Sequence, residues 1–138
     1  LPLTHQSTPA GRAQLSHTPK RQLDYFFDQN ANFARALEVT LWLAYVPSKI
    51  RVLHGRVDLS ASSSARLTSW EPTDLPEFIG GLSEQHGLNF IDLTPALTRE
   101  TDRTNQLVYN SLLDSHLNSR GSLVVGQELA RHFPRRNQ

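Results

Sequence analysis

The sequence predicts an α/β fold, a parallel sheet carrying helices on both faces. Three observations predict it. Segments of helical period and apolar strand-like runs alternate along the 138 residues. Val39–Val46 is continuously apolar and rich in β-branched and aromatic residues, the pattern of a strand buried on both faces. A well-marked helix then leads into a second strand-like run, Leu88-Asn-Phe-Ile-Asp-Leu93.

The elements follow in order. Residues 1–20 hold three prolines, several serines and threonines and no apolar period, which predicts a linker. Residues 21–133 form the domain. Leu23, Phe26, Phe27, Phe33, Ala34 and Leu37 recur at helical spacing and predict one apolar helix face. Pro47-Ser48 ends the first strand, and Ser48 suits the N-cap of a short helix through Ile50, Leu53 and His54. Residues 58–71, with Ser60–Ser64 nearly all serine and alanine, read as a loop. Asp74 stands three residues before Glu77, a capping-box spacing, with Pro76 in the first turn. Leu75, Phe78, Ile79 and Leu82 make that helix's buried stripe, and Gly87 suits its C′ position. Thr94-Pro95 starts another short helix, and residues 101–113 read as a loop with one apolar run, Leu107-Val-Tyr109. Ser122, Val125, Leu129 and Phe133 define a terminal helix stopped by Pro134, and residues 134–138 are a basic tail.

Two strands cannot bury both faces of Val39–Val46, and open sheets typically have ~4–6 strands. The expectation is therefore a domain incomplete at its N-terminus, with an apolar edge exposed where earlier strands belong. The opening Leu1-Pro2 and the absence of methionine point the same way.

Composition narrows the chemistry. A hydrophobic fraction of 38% with 20% charged residues suits a packed chain rather than a disordered one. The formal net charge of +1, with basic residues scattered, gives no electrostatic case for nucleic acid. The longest apolar run falls far short of the ~20 residues of a membrane-spanning helix. With no cysteine, disulfides, thiolate metal sites and cysteine nucleophiles are excluded. His54, His86 and His132 lack the mutual spacing of a metal site, and neither metal nor cofactor is expected.

In open α/β sheets, sites form beyond the C-terminal ends of the strands. Three segments should reach that edge: Pro47-Ser48-Lys49, Asp92-Leu93-Thr94, and the loop before the last helix, Asn110 to Gly121. Within the third, Asp114 and His116 are two apart, so in extended or turning backbone they can project to one side. Asp114 would then hold one ring nitrogen of His116, leaving the other to take a proton from a hydroxyl. A loop histidine making an ordinary hydrogen bond has the same spacing. Asn118 or Ser119 can cap the helix that follows. Candidate substrate contacts are Trp70, as a sugar-stacking platform or a ring packed over the sheet, Lys49, which also reads as a solvated residue at a helix start, and Asn118. Trp42 reads as core. Ser62, Ser63 and Ser64 read as loop residues, while Ser111 and Ser115 lie close enough in sequence to bond His116 without being acylated.

The run Phe90-Ile-Asp-Leu-Thr-Pro-Ala-Leu97, then Tyr109-Asn110, then Asp114-Ser-His-Leu-Asn-Ser-Arg-Gly121 and a Val-Val-Gly-x-x-Leu-Ala helix resembles the C-terminal end of SGNH (GDSL-type) serine hydrolases. It looks closest to the branch of polysaccharide O-acetyltransferases and acetylesterases, to which Leu43-Ala-Tyr-Val-Pro-Ser-Lys49 is also similar. The resemblance covers about residues 21–133. It implies a three-layer, flavodoxin-like α/β/α sandwich. The implied reaction is ester hydrolysis or acyl transfer to a carbohydrate, with His116 as base and Asp114 as its partner. Leu117 stands where many relatives carry an aromatic residue, and neither a Gly-Asp-Ser block nor the Gly and Asn oxyanion donors can be placed. The resemblance thus implies a serine, and the N-terminal part of the same domain, outside this chain. It leaves the compartment open, periplasmic and extracellular settings among those it allows. A degenerate, non-catalytic module binding carbohydrate or protein is the alternative.

Overall fold

Helix α1 (His17–Ala36) opens the computed structural model, which describes residues 17–56, 71–110 and 114–133. Strand β1 (Trp42–Tyr45), helix α2 (Lys49–Leu53), helix α3 (Leu75–Gln85), strand β2 (Asn89–Asp92), helix α4 (Thr94–Thr104) and helix α5 (Ser119–His132) follow. The chain is thus a mixed helix-and-strand structure, and β1 and β2 form a two-stranded parallel sheet. The Trp70 and Ser62–Ser64 assignments, Ser111, and the expected basic tail lie outside the described residues, as does most of the expected linker.

The described residues fall into two compact units. The first takes α1, the chain through Leu43, α3 and the chain through Phe90; the second takes residues 44–56 and 91–133.

In the first unit, Phe27, Ala31 and Ala34 of α1 bury against Leu82 and Leu88, flanked by Leu23, Leu41, Leu43, Phe78 and Ile79. Spacings of four, four and three residues put Leu23, Phe27, Ala31 and Ala34 on one stripe. Phe27 is almost fully buried, which contributes roughly 1.5–3 kcal/mol relative to an exposed ring. Gly80 leaves room for the Phe90 ring against α3: a Cβ there would lie 3.0 Å from Phe90 Cδ1. His86 stacks on Phe27 with centroids 5.7 Å apart and its Nδ1 lies 2.9 Å from Asp28 Oδ1.

Both long helices of this unit end in a Schellman motif. At α3, Leu88 N–H donates to Ser83 O (2.8 Å) and Gly87 N–H to Glu84 O (3.0 Å), with Gly87 at φ 71°. At α1, Val39 N–H donates to Ala34 O (3.0 Å) and Glu38 N–H to Arg35 O (3.2 Å), with Glu38 at φ 53°. Gly87 is the expected residue for a left-handed C′ position. Glu38 is not, because its Cβ is strained there.

That second motif corrects the strand. Val39 serves the helix exit, so β1 begins at Trp42 rather than Val39, and Val39 and Val46 are about half exposed. The two-faced burial expected for Val39–Val46 is not observed among the described residues. The single apolar face expected on α1 is also only partly covered: Phe26, Phe33 and Leu37 stay exposed beside the buried stripe. α1 begins at His17, inside the stretch expected as linker, and α4 runs to Thr104, inside the stretch expected as loop. The capping box does not close. Asp74 precedes α3 at the N-cap but its side chain makes no cap hydrogen bond, because its backbone (φ −76°, ψ 21°) is not in the extended conformation a capping residue needs. On α5, Phe133 is exposed and Gly121 is the buried residue.

In the second unit, Val52 and Leu53 of α2, Ile91, Leu93, Ala96 and Leu97 around α4, and Val108 and Tyr109 are buried. α4 packs against both α2 and α5. Arg56 pairs with Asp102 through two bonds of 2.6 and 3.1 Å, tying the exit of α2 to α4. Glu100 on α4 accepts from Arg120 on α5 (2.9 Å) and from Arg103 one turn on. The two guanidinium groups hold its carboxyl below the usual carboxylate range.

Candidate active site

The site is built on a short ladder between two segments of the second unit. Tyr109 and Leu117 form an antiparallel bridge. Asn110 N–H donates to His116 O (2.9 Å) and Asn118 N–H donates to Val108 O (3.1 Å). The bridge and its two flanking bonds fix the direction of residues 116 to 118 before α5 starts.

Asn118 converts that ladder into the helix start. Its Oδ1 accepts from Gly121 N–H at 2.9 Å, the N-cap bond, while Nδ2 donates to Leu107 O (2.8 Å) and Tyr109 O (3.0 Å). The sequence expectation of a substrate contact at Asn118 is corrected by this geometry, since both atoms of its amide are engaged in holding α5 to the 107–109 segment. Gly121 lies over the same segment so closely that a Cβ would collide with Val108 O and lie 2.9 Å from Leu117 Cδ2.

Asp114 and His116 come together as their spacing predicts. Asp114 Oδ1 lies 2.6 Å from His116 Nδ1 and accepts the His116 backbone N–H at 2.8 Å. Its other oxygen, Oδ2, accepts Asn110 Nδ2–H at 3.0 Å. These bonds, those from His116 foremost, hold the Asp114 carboxyl below its ordinary value. An ionised carboxylate only accepts, so the ring proton of that contact sits on Nδ1, and in the neutral ring Nε2 is the nitrogen with the free lone pair. The imidazole side chain is 86% exposed, which leaves Nε2 open to an incoming group. Among the described residues no serine hydroxyl is bonded to that ring, Ser115 included.

Two long-range bonds carry this loop to the corner after β1. Tyr109 OH donates to Pro47 O at 2.6 Å, and Lys49 Nζ donates to Asn110 O at 2.7 Å. A longer contact, 3.4 Å, runs from Lys49 Nζ to Asp114 O. The dyad therefore sits at the C-terminal end of β1, the edge where α/β sheets build sites. Burial pushes the Tyr109 phenol up to about 12, with the nearby Tyr45 phenol adding to the rise. Lys49, a candidate substrate contact or a solvated helix start, donates to the backbone carbonyl of Asn110 and lies 3.4 Å from that of Asp114.

Asp92, near the second strand end, accepts the Thr94 backbone N–H at 2.8 Å and opens α4. The groove lined by Glu100, Arg103, Arg120 and Gln127 between α4 and α5 does not include His116. Among the described residues no cluster of three metal-ligating side chains forms, and no helix is long and apolar enough to cross a membrane. Asn110 and Tyr109 carry no role in the sequence reading. The available signal was their position, an amide and a phenol directly after the buried Val108 and four and five residues before Asp114.

Comparisons with models of known families, with curated proteins and with solved structures found no match for this chain.

Proposed function

We propose that this chain carries the base half of a Ser-His-Asp acyl-transfer site, acting in ester hydrolysis or O-acyl transfer on a carbohydrate. The observation that carries this reading is the 2.6 Å contact between His116 Nδ1 and Asp114 Oδ1, with the opposite face of the ring open to solvent. In the proposed reaction a serine hydroxyl gives its proton to His116 Nε2 as its oxygen attacks the acyl carbon. Asp114 stabilises the imidazolium that results. The ring then returns the proton to the departing alcohol, and a water or sugar hydroxyl repeats the cycle on the acyl-serine. General-base assistance of this kind contributes ~10²–10⁴-fold in rate.

The reading rests also on the sequence resemblance to SGNH hydrolases, from Phe90 to Gly121 above all. In that frame the fold is a three-layer α/β/α sandwich, and the serine and further strands come from sequence outside this chain. The exposed Val39 and Val46 flanking a two-stranded sheet fit additional cover there.

Hydrolysis of p-nitrophenyl acetate by a protein comprising this chain and its flanking gene sequence tests the reading. Activity is expected, with a loss of at least ~10²-fold in His116→Ala. An active His116→Ala variant refutes the role of His116. That no serine hydroxyl among the described residues bonds the ring favours a second reading, a non-catalytic module that binds carbohydrate or protein through the same surface. Complete inactivity of the flanked protein, with retained binding of an oligosaccharide, selects that reading.

A further inference from the structure

The dyad is local in sequence, but what orients it is not. Asp114 and His116 are two residues apart, and such a pair on an unanchored loop would sample many directions. Asn110 is the residue that closes the loop. Its side chain donates to Asp114 Oδ2 and its backbone N–H to His116 O, so both members of the dyad are referred to one residue. Asn110 is in turn referred to the sheet by Lys49, whose ammonium donates to Asn110 O across 61 residues of sequence. The same Nζ lies 3.4 Å from Asp114 O, beyond a good hydrogen bond but on the same side of the loop. The neighbouring Tyr109–Pro47 bond spans 62 residues and lands two residues from Lys49. A charged donor on a neutral carbonyl is stronger than a neutral pair, and this one is partly shielded from water.

We infer that Lys49 is a positioning residue for the Asp114–His116 pair, fixing the loop through the carbonyl of Asn110 rather than meeting substrate. The inference rests on the proposed general-base role of His116 for its consequence in catalysis, but its structural content stands apart from any activity. With Lys49 in place, Asp114 meets Nδ1 in one geometry and the ring keeps one tautomer. Without it, the Tyr109–Pro47 bond still ties the segment to that corner, but the direct link through the Asn110 carbonyl is lost. Arginine can still donate to the carbonyl. Glutamine is shorter and neutral, and leaves the loop without the charge-assisted bond.

The test is the ¹⁵N spectrum of the His116 imidazole in the 138-residue chain. Wild type, Lys49→Gln, Lys49→Arg and Asp114→Asn are compared near neutral pH. Wild type is expected to show the Nδ1–H tautomer. Lys49→Gln is expected to lower the Nδ1–H to Nε2–H ratio by about three- to tenfold, the scale of one weakened hydrogen bond, and Lys49→Arg to restore it. Backbone amide signals of the first unit, Phe27 and Leu82 among them, serve as the check that each variant is folded. If Lys49→Gln unfolds the chain, Lys49→Arg against Tyr109→Phe makes the comparison: the inference expects a wild-type ratio in the first and a lowered ratio in the second. A Lys49→Gln ratio equal to wild type, in a protein where Asp114→Asn does change it, overturns the positioning role and leaves the dyad intact. A ratio unchanged by Asp114→Asn overturns both. In the flanked, active protein a positioning role lowers kcat by about 10–100-fold at constant KM. A raised KM with constant kcat instead returns Lys49 to substrate contact.

Discussion

One carboxylate oxygen of Asp114 serves His116 twice: Oδ1 accepts both the backbone N–H at 2.8 Å and the ring Nδ1–H at 2.6 Å. The arrangement fixes the rotation of the imidazole as well as its tautomer, since the ring can swing away only by giving up a bond whose acceptor is pinned by its own main chain.

These bonds hold the Asp114 carboxyl below its ordinary value of 3.8. A depressed native value stabilises the fold at pH above the ordinary value, and the contribution is lost as pH falls through the depressed one. Asp114→Asn is therefore expected to be less stable than wild type near neutrality and to converge with it in acid. Urea midpoints across that range check this, and a constant gap down to acid pH contradicts it.

Gly121 and Gly126 make a matched pair within α5. A Cβ at Gly121 meets Val108 O, whereas nothing lies within 4 Å of one at Gly126. Gly121→Ala is expected to destabilise by about 1–3 kcal/mol through overpacking against a backbone that cannot move aside. Gly126→Ala is expected to stabilise by up to about 1 kcal/mol, the helix-propensity difference. Denaturant unfolding of both variants gives the two signs, and a like sign for both contradicts the close approach of α5 to Val108.

Glu38 occupies the left-handed position of the α1 terminus at φ 53°. Glu38→Gly removes the strained Cβ and is expected to raise stability by roughly 1 kcal/mol, offset in part by the greater freedom of glycine in the unfolded chain. Thermal unfolding of the two proteins measures it.

Tyr109 is raised to about 12, mainly by burial. A raised value means its contribution is complete below the ordinary 10.0 and lost as pH climbs through the native one. Tyrosinate absorbance should show one of the three tyrosines ionising near 12, with unfolding accompanying it. In Tyr109→Phe that late step should be missing. The variant should also lose about 1 kcal/mol at neutral pH with the bond to Pro47 O.

Much of this architecture was legible in the residue pattern, and the misses have identifiable causes. Gly87 announced the end of α3 because glycine is the usual occupant of a left-handed C′ position. Glu38 occupies the same position at the end of α1 and announces nothing, so the apolar run after it reads wholly as strand. The pairing of Asp114 with His116 was readable because it is local. Its supports were not, because the partners of Lys49 and Tyr109 lie 61 and 62 residues away and one side of each bond is a backbone carbonyl, which has no sequence identity. The N-cap role of Asn118 is readable from the start of the terminal helix, and its Oδ1 does accept the Gly121 N–H; its two bonds to Leu107 O and Tyr109 O are not, because backbone carbonyls have no sequence identity.

The distance in sequence between the two ends of the Lys49 and Tyr109 bonds also sets when the centre can mature. Closing a loop of that size carries an entropic cost that must be met before the bonds return anything. On a ribosome, the corner after β1 emerges long before residues 109 and 110 do, and waits without its counterpart. The carboxylate–imidazole contact needs only residues two apart, whereas its registration to the strand needs partners 61 and 62 residues apart. Slow translation between Lys49 and Tyr109 should therefore lengthen the interval in which that corner lacks its partner.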